Sequence, residues 1–190
     1  MLDSIRLKRL EIGAGNAPVP GYLHQDIIEM AGVRLDYKCM PYEIPDNGFD
    51  LIIALGVMEH LRFDEFEKTI EHFLMILNIE GEFLFDVPNL KIWCQYYVDI
   101  CAGKETPFDR RHVLRTIYGW QRWIGDEHKS GWDEKSLKRI IESKREGGLR
   151  FAVDIQTTPD IFKEIGISRN RFDRPQDAHL YVSLTKTCDG

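Results

Sequence analysis

Glu11, Asp26, Asp36, His60, Asp86 and His128 are the residues of this chain whose type and neighbours suit them to chemistry. Glu11 is a charged side chain inside the apolar run Leu10 to Ile12, where an ionised group is kept only if it pairs or binds something. Gly13-Ala14-Gly15 follows at once, a turn in which both glycines have positive φ open to them and leave bare backbone for a ligand to approach. His60 lies in Met58-Glu59-His60-Leu61, just past a strand-like run. A histidine there either packs near a helix start or stands beside a reacting group as acceptor contact or general base. Asp86 falls near the carboxyl end of EFLFDVPN, where an acid either orients a substrate hydroxyl or serves a turn.

The elements around these residues read as a parallel sheet. Leu10 to Ile12, preceded by Ile5 and Leu7, is short enough for a first strand. FDLIIALGV, from Phe49, is a continuous apolar run, as a central strand buried on both faces requires. Ligands in such a sheet lie outside the carboxyl ends of the strands at the switch in strand order, which directs Leu55 and Gly56 to the pocket. Phe63 to Leu77 carries apolar residues at helical spacing, a core-facing helix. EFLFDVPN reads as a further strand, FAVDIQ as another, and Ala178 to Lys186 as the last. Asp133 to about Arg145 reads as a helix capped by Ser130 or Asp133. The charged stretch from Asp160 to Asp177 reads as a solvated connection.

The glycine turn does not match a dinucleotide fingerprint. That motif wants a third glycine and then a helix whose N-terminus holds a pyrophosphate. Pro18, Pro20 and Gly21 forbid a regular helix there and remove two backbone donors. A ligand needing close backbone contact and an acidic partner, without a diphosphate, fits better, and S-adenosylmethionine answers that description.

The order E-x-G-x-G, an acid closing the next strand, D-x-x-x-x-P-[FY] at Asp36 to Tyr42, then DNGFDLI and MEHL, resembles the class I S-adenosylmethionine-dependent methyltransferases, in their short, methyltransferase type 11-like group. The resemblance covers residues 5 to 90 well and the rest loosely. It implies a Rossmann-like, doubly wound α/β sheet of about seven mostly parallel strands, with Ala178 to Lys186 antiparallel. It also implies a cofactor site of Glu11, Gly13, Ala14, Gly15, Asp26, Ile27, Asp36, Leu55 and Gly56, in which the glycine loop holds the methionine part. The family's acid after the second strand takes the ribose hydroxyls, and that after the third lies by the adenine. H-x-S-G-aromatic segments occur at the place of His128 in this group, which puts His128 near the acceptor, beside His60 and Asp86.

The chain departs from the pattern in two ways. The family's third glycine is Ala17, and only about ten residues separate Ile12 from Leu23, where a parallel crossover normally takes a dozen or more. Either the crossover is an extended loop and Asp26 is the ribose acid, or the second strand is Val33 to Tyr37 and Asp36 takes that part. The motif order favours Asp26; a spacing of about twenty residues between turn and acid favours Asp36.

At 190 residues the chain is expected to be one methyltransferase-like domain, 1–190, with residues 90–132 as an aromatic-rich lid or insertion. Trp93, Tyr96, Tyr97, Phe108, Tyr118, Trp120, Trp123 and Trp132 give that stretch too much apolar surface for a linker. Two helices, Lys91 to Ala102 and Asp109 to Tyr118, are expected there. The aromatics either grip a substrate or pack on each other or on a second subunit. The formal charge of −6 argues against a naked nucleic acid as partner. Cys39, Cys94, Cys101 and Cys188 have no metal-ligand spacing, and no apolar run is long enough to span a bilayer. The expectation is a cytoplasmic enzyme that moves a methyl group to a small-molecule acceptor, a hydroxyl among the candidates, with no metal, no membrane partner and a homo-oligomer left open. The competing expectation is a non-catalytic scaffold that keeps the fold and uses the aromatic segment as an interface.

Overall fold

The computed structural model describes residues 7–123, 125–168, 172, 175 and 177–188; Ile5 lies outside them. Six strands form one sheet among these residues: β1 Arg9–Ile12, β2 Leu23–Gln25, β3 Phe49–Leu55, β4 Leu77–Pro88, β5 Arg150–Gln156 and β6 His179–Cys188. Their order is β2-β1-β3-β4-β6-β5. β1 pairs in parallel with β2 and β3, β3 pairs in parallel with β4, and β6 runs antiparallel between β4 and β5. The helices are α1 Phe63–Ile76, α2 Leu90–Cys101, α3 Arg110–Tyr118, α4 Glu134–Ser143 and α5 Asp160–Glu164.

β3 is apolar from Leu51 to Leu55 because both of its faces are covered there. Ile52 and Ala54 join the cluster under α1, whereas Leu51 and Ile53 join the one on the opposite face. α1 places Phe66, Ile70, Phe73 and Leu74 on one stripe, and Phe73 meets Phe83 of β4 edge to face at 4.7 Å. Full burial of such side chains contributes roughly 1.5–3 kcal/mol each. α4 leans on the same face and is tied to α1 by Lys144, whose ammonium reaches Glu67 at 2.6 Å and Glu71 at 2.8 Å. Its start is capped by Asp133, which accepts from the Ser136 amide at 2.9 Å.

Among the described residues the sheet has six strands rather than about seven, and the shortfall is at its β2 edge. Val33 to Tyr37 does not form a strand; it contributes one bridge, Gln25 to Tyr37. Asp36 takes the outward amide of His24 at 2.8 Å, and the Tyr37 hydroxyl turns away to Asp46 at 2.7 Å. With turns at Gly32 and Pro41 on either side, too few residues remain to extend a ladder. The β1–β2 crossover is an extended loop with no helix. The stretch from Asp160 to Asp177 also differs from a solvated connection: α5 forms there, and Phe162, Ile167 and Phe172 are buried under the sheet beside Tyr181. Among the described residues no helix is long and apolar enough to cross a membrane.

α2 and α3 form close to the expected ranges and pack on one another over the β4 end. Trp93 anchors them, fully buried, its Nε1 donating to the Ala178 carbonyl at 2.7 Å. His112 and Phe108 stack against it. Part of the aromatic segment is therefore self-packed. Past Gly119 the chain folds back, bridging Gly119 to Glu127, and carries Trp120 and Trp123 outward to the strand ends.

Candidate functional site

The carboxyl ends of β1, β2, β3 and β4 open on a cleft of roughly 910 Å³. One wall is the glycine turn. Gly13 and Gly15 have φ of 67° and 57°, and the Gly13 and Ala14 amides donate to the Gln25 carbonyl at 2.8 and 3.1 Å. A Cβ on Gly13 would collide with the Val57 side chain, so both backbone angle and space demand glycine there.

Glu11, 4% exposed, explains how the loop manages without a helix. Its Oε2 accepts from the Val19 amide at 2.6 Å and lies 3.2 Å from His24 Nδ1. The buried acid thus pins the proline-rich connection to β1 while lining the cleft. Asp26 fixes the turn from the other side: Oδ2 accepts from the Gly15 amide at 2.9 Å, and Oδ1 from the Ile28 amide at 3.1 Å. Each oxygen of a carboxylate has a second lone pair, and Asp26 remains half-buried on the cleft wall with Ile27 beside it. Asp36 is exposed on the outer edge of β2, away from the cleft.

Leu55 and Gly56 line the cleft at the end of β3. The Gly56 amide donates to Asp86 Oδ1 at 2.7 Å, and Asp86 Oδ2 lies 3.1 Å from His179 Nδ1. Asp86 is wholly buried and stands behind the cleft wall, whereas His179, at the start of β6, lines it. Pairing of Pro88 with His179 across β4 and β6 makes the two meet.

A further part of the lining is Glu59, His60 and His128. The short 3-10 turn Met58–His60 is cross-tied to the distant segment at 128–130: the Lys129 and Ser130 amides both donate to the Glu59 carbonyl, at 2.9 and 3.2 Å. His60 Nδ1 faces the Glu127 carbonyl at 3.1 Å and must carry the proton there. The His60 and His128 rings meet edge to face at 4.9 Å. Burial, then the neighbouring His60, pushes the His128 imidazole down to about 4, and a hydrogen bond to the Thr116 carbonyl only partly opposes this. His128 is therefore neutral at ordinary pH. Arg122 closes the rim, with Nε at 3.0 Å from Asp126 Oδ2 and the guanidinium 4.1 Å over the Trp123 ring.

The cleft thus collects Glu11, Gly13, Ala14, Gly15, Asp26, Ile27, Leu55, Gly56, His60 and His128. It leaves Asp86 behind His179 and Asp36 outside. Sequence reasoning passed over His179 and did not assign Glu59. A histidine opening the apolar run AHLYVSL was the one available signal, and it meant little without the β4–β6 register.

No protein-family model and no curated protein matches the sequence. Solved structures do match the fold. The plantazolicin methyltransferase BpumL in complex with SAH is 13% identical, covering 96% of this chain and 76% of that one, with a TM-score of 0.59. A SAM-dependent methyltransferase from Archaeoglobus fulgidus is 16% identical, covering 95% and 86%, with a TM-score of 0.56. A possible histamine N-methyltransferase from Thermotoga maritima is 14% identical, covering 94% and 82%, with a TM-score of 0.53. Superposition over nearly the whole chain at these TM-scores, on a mostly parallel sheet with one antiparallel strand, gives this chain the Rossmann-like class I fold of the S-adenosylmethionine-dependent methyltransferases.

Proposed function

We propose that the cleft binds S-adenosylmethionine along the glycine turn and transfers its methyl group to a small acceptor held against the histidine wall. The observation that carries this is the meeting, in one cleft, of the bare turn at Gly13 to Gly15, the half-buried acid Asp26 and three histidines. Ligand sites run to about 300–1,000 Å³, and a cleft near the top of that range has room for cofactor and acceptor together. The structural neighbours, one of them holding SAH, support the same reading. Asp26, with a lone pair spare on each oxygen, is our choice for the ribose hydroxyls; Asp36 has no access to the cleft wall.

The chemistry asks little of side chains. A sulfonium methyl is already activated, and holding nucleophile, methyl carbon and sulfur in line supplies up to roughly 7–11 kcal/mol. For a hydroxyl acceptor, our preferred class, a proton must leave, and we assign it to His179. Asp86 behind it holds the Nδ1 proton and leaves Nε2 to accept, whereas the rings of His60 and His128 abut each other. Trp120, Trp123 and Arg122 form the lid of this site in our reading. The glycine turn opens on the cleft, which favours an enzyme over a scaffold with an occluded turn.

Calorimetric titration of S-adenosylmethionine and S-adenosylhomocysteine, with NAD as control, tests the reading. Saturable binding weakened by Asp26→Ala and untouched by Asp36→Ala is expected. A folded protein that binds neither sulfur ligand would overturn it.

A further inference from the structure

We propose that Glu59, His60 and His128 form a seat for a divalent transition-metal ion on the acceptor side of the cleft. One ligand atom from each of the three lies within 4.8 Å of the others. Two imidazoles and one carboxylate make a ligand set that holds zinc and leaves a coordination position open. Around an ion bound at about 2.0–2.2 Å, neighbouring ligand atoms stand about 3–4 Å apart. His128 Nε2 is 4.0 Å from Glu59 Oε1, too far for a hydrogen bond and right for two groups on either side of an ion.

The surroundings hold these side chains in place. Backbone bonds from Lys129 and Ser130 to the Glu59 carbonyl lock together two segments far apart in sequence. His60 gives its Nδ1 proton to the Glu127 carbonyl, and the His128 ring bonds the Thr116 carbonyl. An imidazole anchored through one nitrogen presents the other as a lone pair, the outer arrangement that metal-binding histidines use. All three residues line the cleft, so the open position faces the bound acceptor.

The role of the ion rests on the methyl-transfer reading; its binding does not. An acceptor hydroxyl on the ion becomes more acidic and gives its proton to His179. The resulting oxyanion attacks the sulfonium methyl: the O–C bond forms, the C–S bond breaks, and its electron pair stays on sulfur.

The test uses the full chain stripped with EDTA. Titration with Co²⁺, followed by visible absorption, should give one ion per chain with ligand-field bands, and Zn²⁺ should displace it. His128→Ala and Glu59→Gln should each weaken Co²⁺ binding by about 100-fold or more, beyond the 10–100-fold seen when only outer partners are lost. His72→Gln, remote from the cluster, should leave binding unchanged. Anomalous diffraction from wild-type crystals soaked in Zn²⁺ does not depend on variant folding and should place the ion among the three side chains. No stoichiometric Co²⁺ binding, wild-type affinity in both cluster variants, or an ion found elsewhere would overturn the proposal. Cofactor titration of the same stripped protein separates the two readings: a chain that binds Co²⁺ but neither sulfur ligand keeps the seat and loses methyl transfer.

Discussion

Asp86 holds the Gly56 amide at 2.7 Å through one carboxylate oxygen and His179 Nδ1 at 3.1 Å through the other. A single buried acid thereby joins the turn after β3, where the cofactor is proposed to lie, to the histidine proposed to take the proton. The sequence left Asp86 either orienting a substrate hydroxyl or serving a turn; wholly buried behind the cleft wall, it is proposed here as a positioning residue.

Asp86→Asn tests that arrangement. An amide can still accept from Gly56, but its NH2 then faces His179 Nδ1 donor to donor and forces the other tautomer. With a working acceptor in hand, kcat should fall by roughly 10²–10⁴-fold in Asp86→Asn and in His179→Gln, with cofactor affinity near wild type in His179→Gln. Turnover unchanged in His179→Gln would remove this histidine from the reaction.

Gly13→Ala should fail for two separable reasons. Its φ of 67° is unfavourable for alanine, and its Cβ would strike Val57. Gly21, with φ of 84° and nothing within 4 Å of an added Cβ, shares only the first. Gly21→Ala should lose about 1 kcal/mol, and Gly13→Ala about 1–3 kcal/mol more, with at least tenfold weaker cofactor binding. Denaturant unfolding of both variants measures the difference; equal losses would mean that Val57 yields without cost.

Much of this was legible in the residues. The apolar run at Leu51–Leu55 announced a central strand, and the stripe at Phe66, Ile70, Phe73 and Leu74 announced its covering helix, because period and burial are local properties. Glu11 and Gly13 were visible as anomalies in their own neighbourhood. The choice between Asp26 and Asp36 was not, since it turns on which segment pairs with β1, and a three-residue strand at Leu23–Gln25 carries almost no periodic signal. His179 and Glu59 were hidden for a different reason: each acquires meaning only from a partner far away in the chain, Asp86 in one case and His128 in the other.

His72 gives a pH dependence with a definite sign. Burial lowers its pKa below the ordinary value, partly offset by the hydrogen bond its Nε2 donates to the Ile44 carbonyl at 2.9 Å. Below about pH 6.5 the unfolded chain takes up a proton that the folded imidazole resists. Stability is therefore present above that pH and is lost as pH falls through it. His128, held down to about 4, adds a loss of the same sign. The melting temperature should drop between about pH 7.5 and pH 5.5, and less steeply in His72→Gln, which keeps a donor for Ile44. Identical slopes for the two proteins would mean that His72 protonates in place.

Trp123 distinguishes the two sides of the cleft. Its ring is 49% exposed, lines the cleft and carries the Arg122 guanidinium 4.1 Å above it. Arg122 is held in turn by Asp126; burial raises the pKa of that carboxyl, but hydrogen bonds and charge from Arg122 outweigh this and hold it below its usual range. Trp and Arg together offer rigid apolar area with a fixed cation, on the segment whose Glu127 carbonyl meets His60. Trp123→Ala should therefore raise the acceptor KM by roughly 2–10-fold, the equivalent of about 0.5–1.5 kcal/mol of aromatic contact, while leaving kcat and cofactor affinity near wild type. Asp126→Asn, which loosens Arg122, should move KM in the same direction. A matching loss of cofactor affinity in Trp123→Ala would instead put this tryptophan over the cofactor, and the acceptor would have to enter from the β2 side.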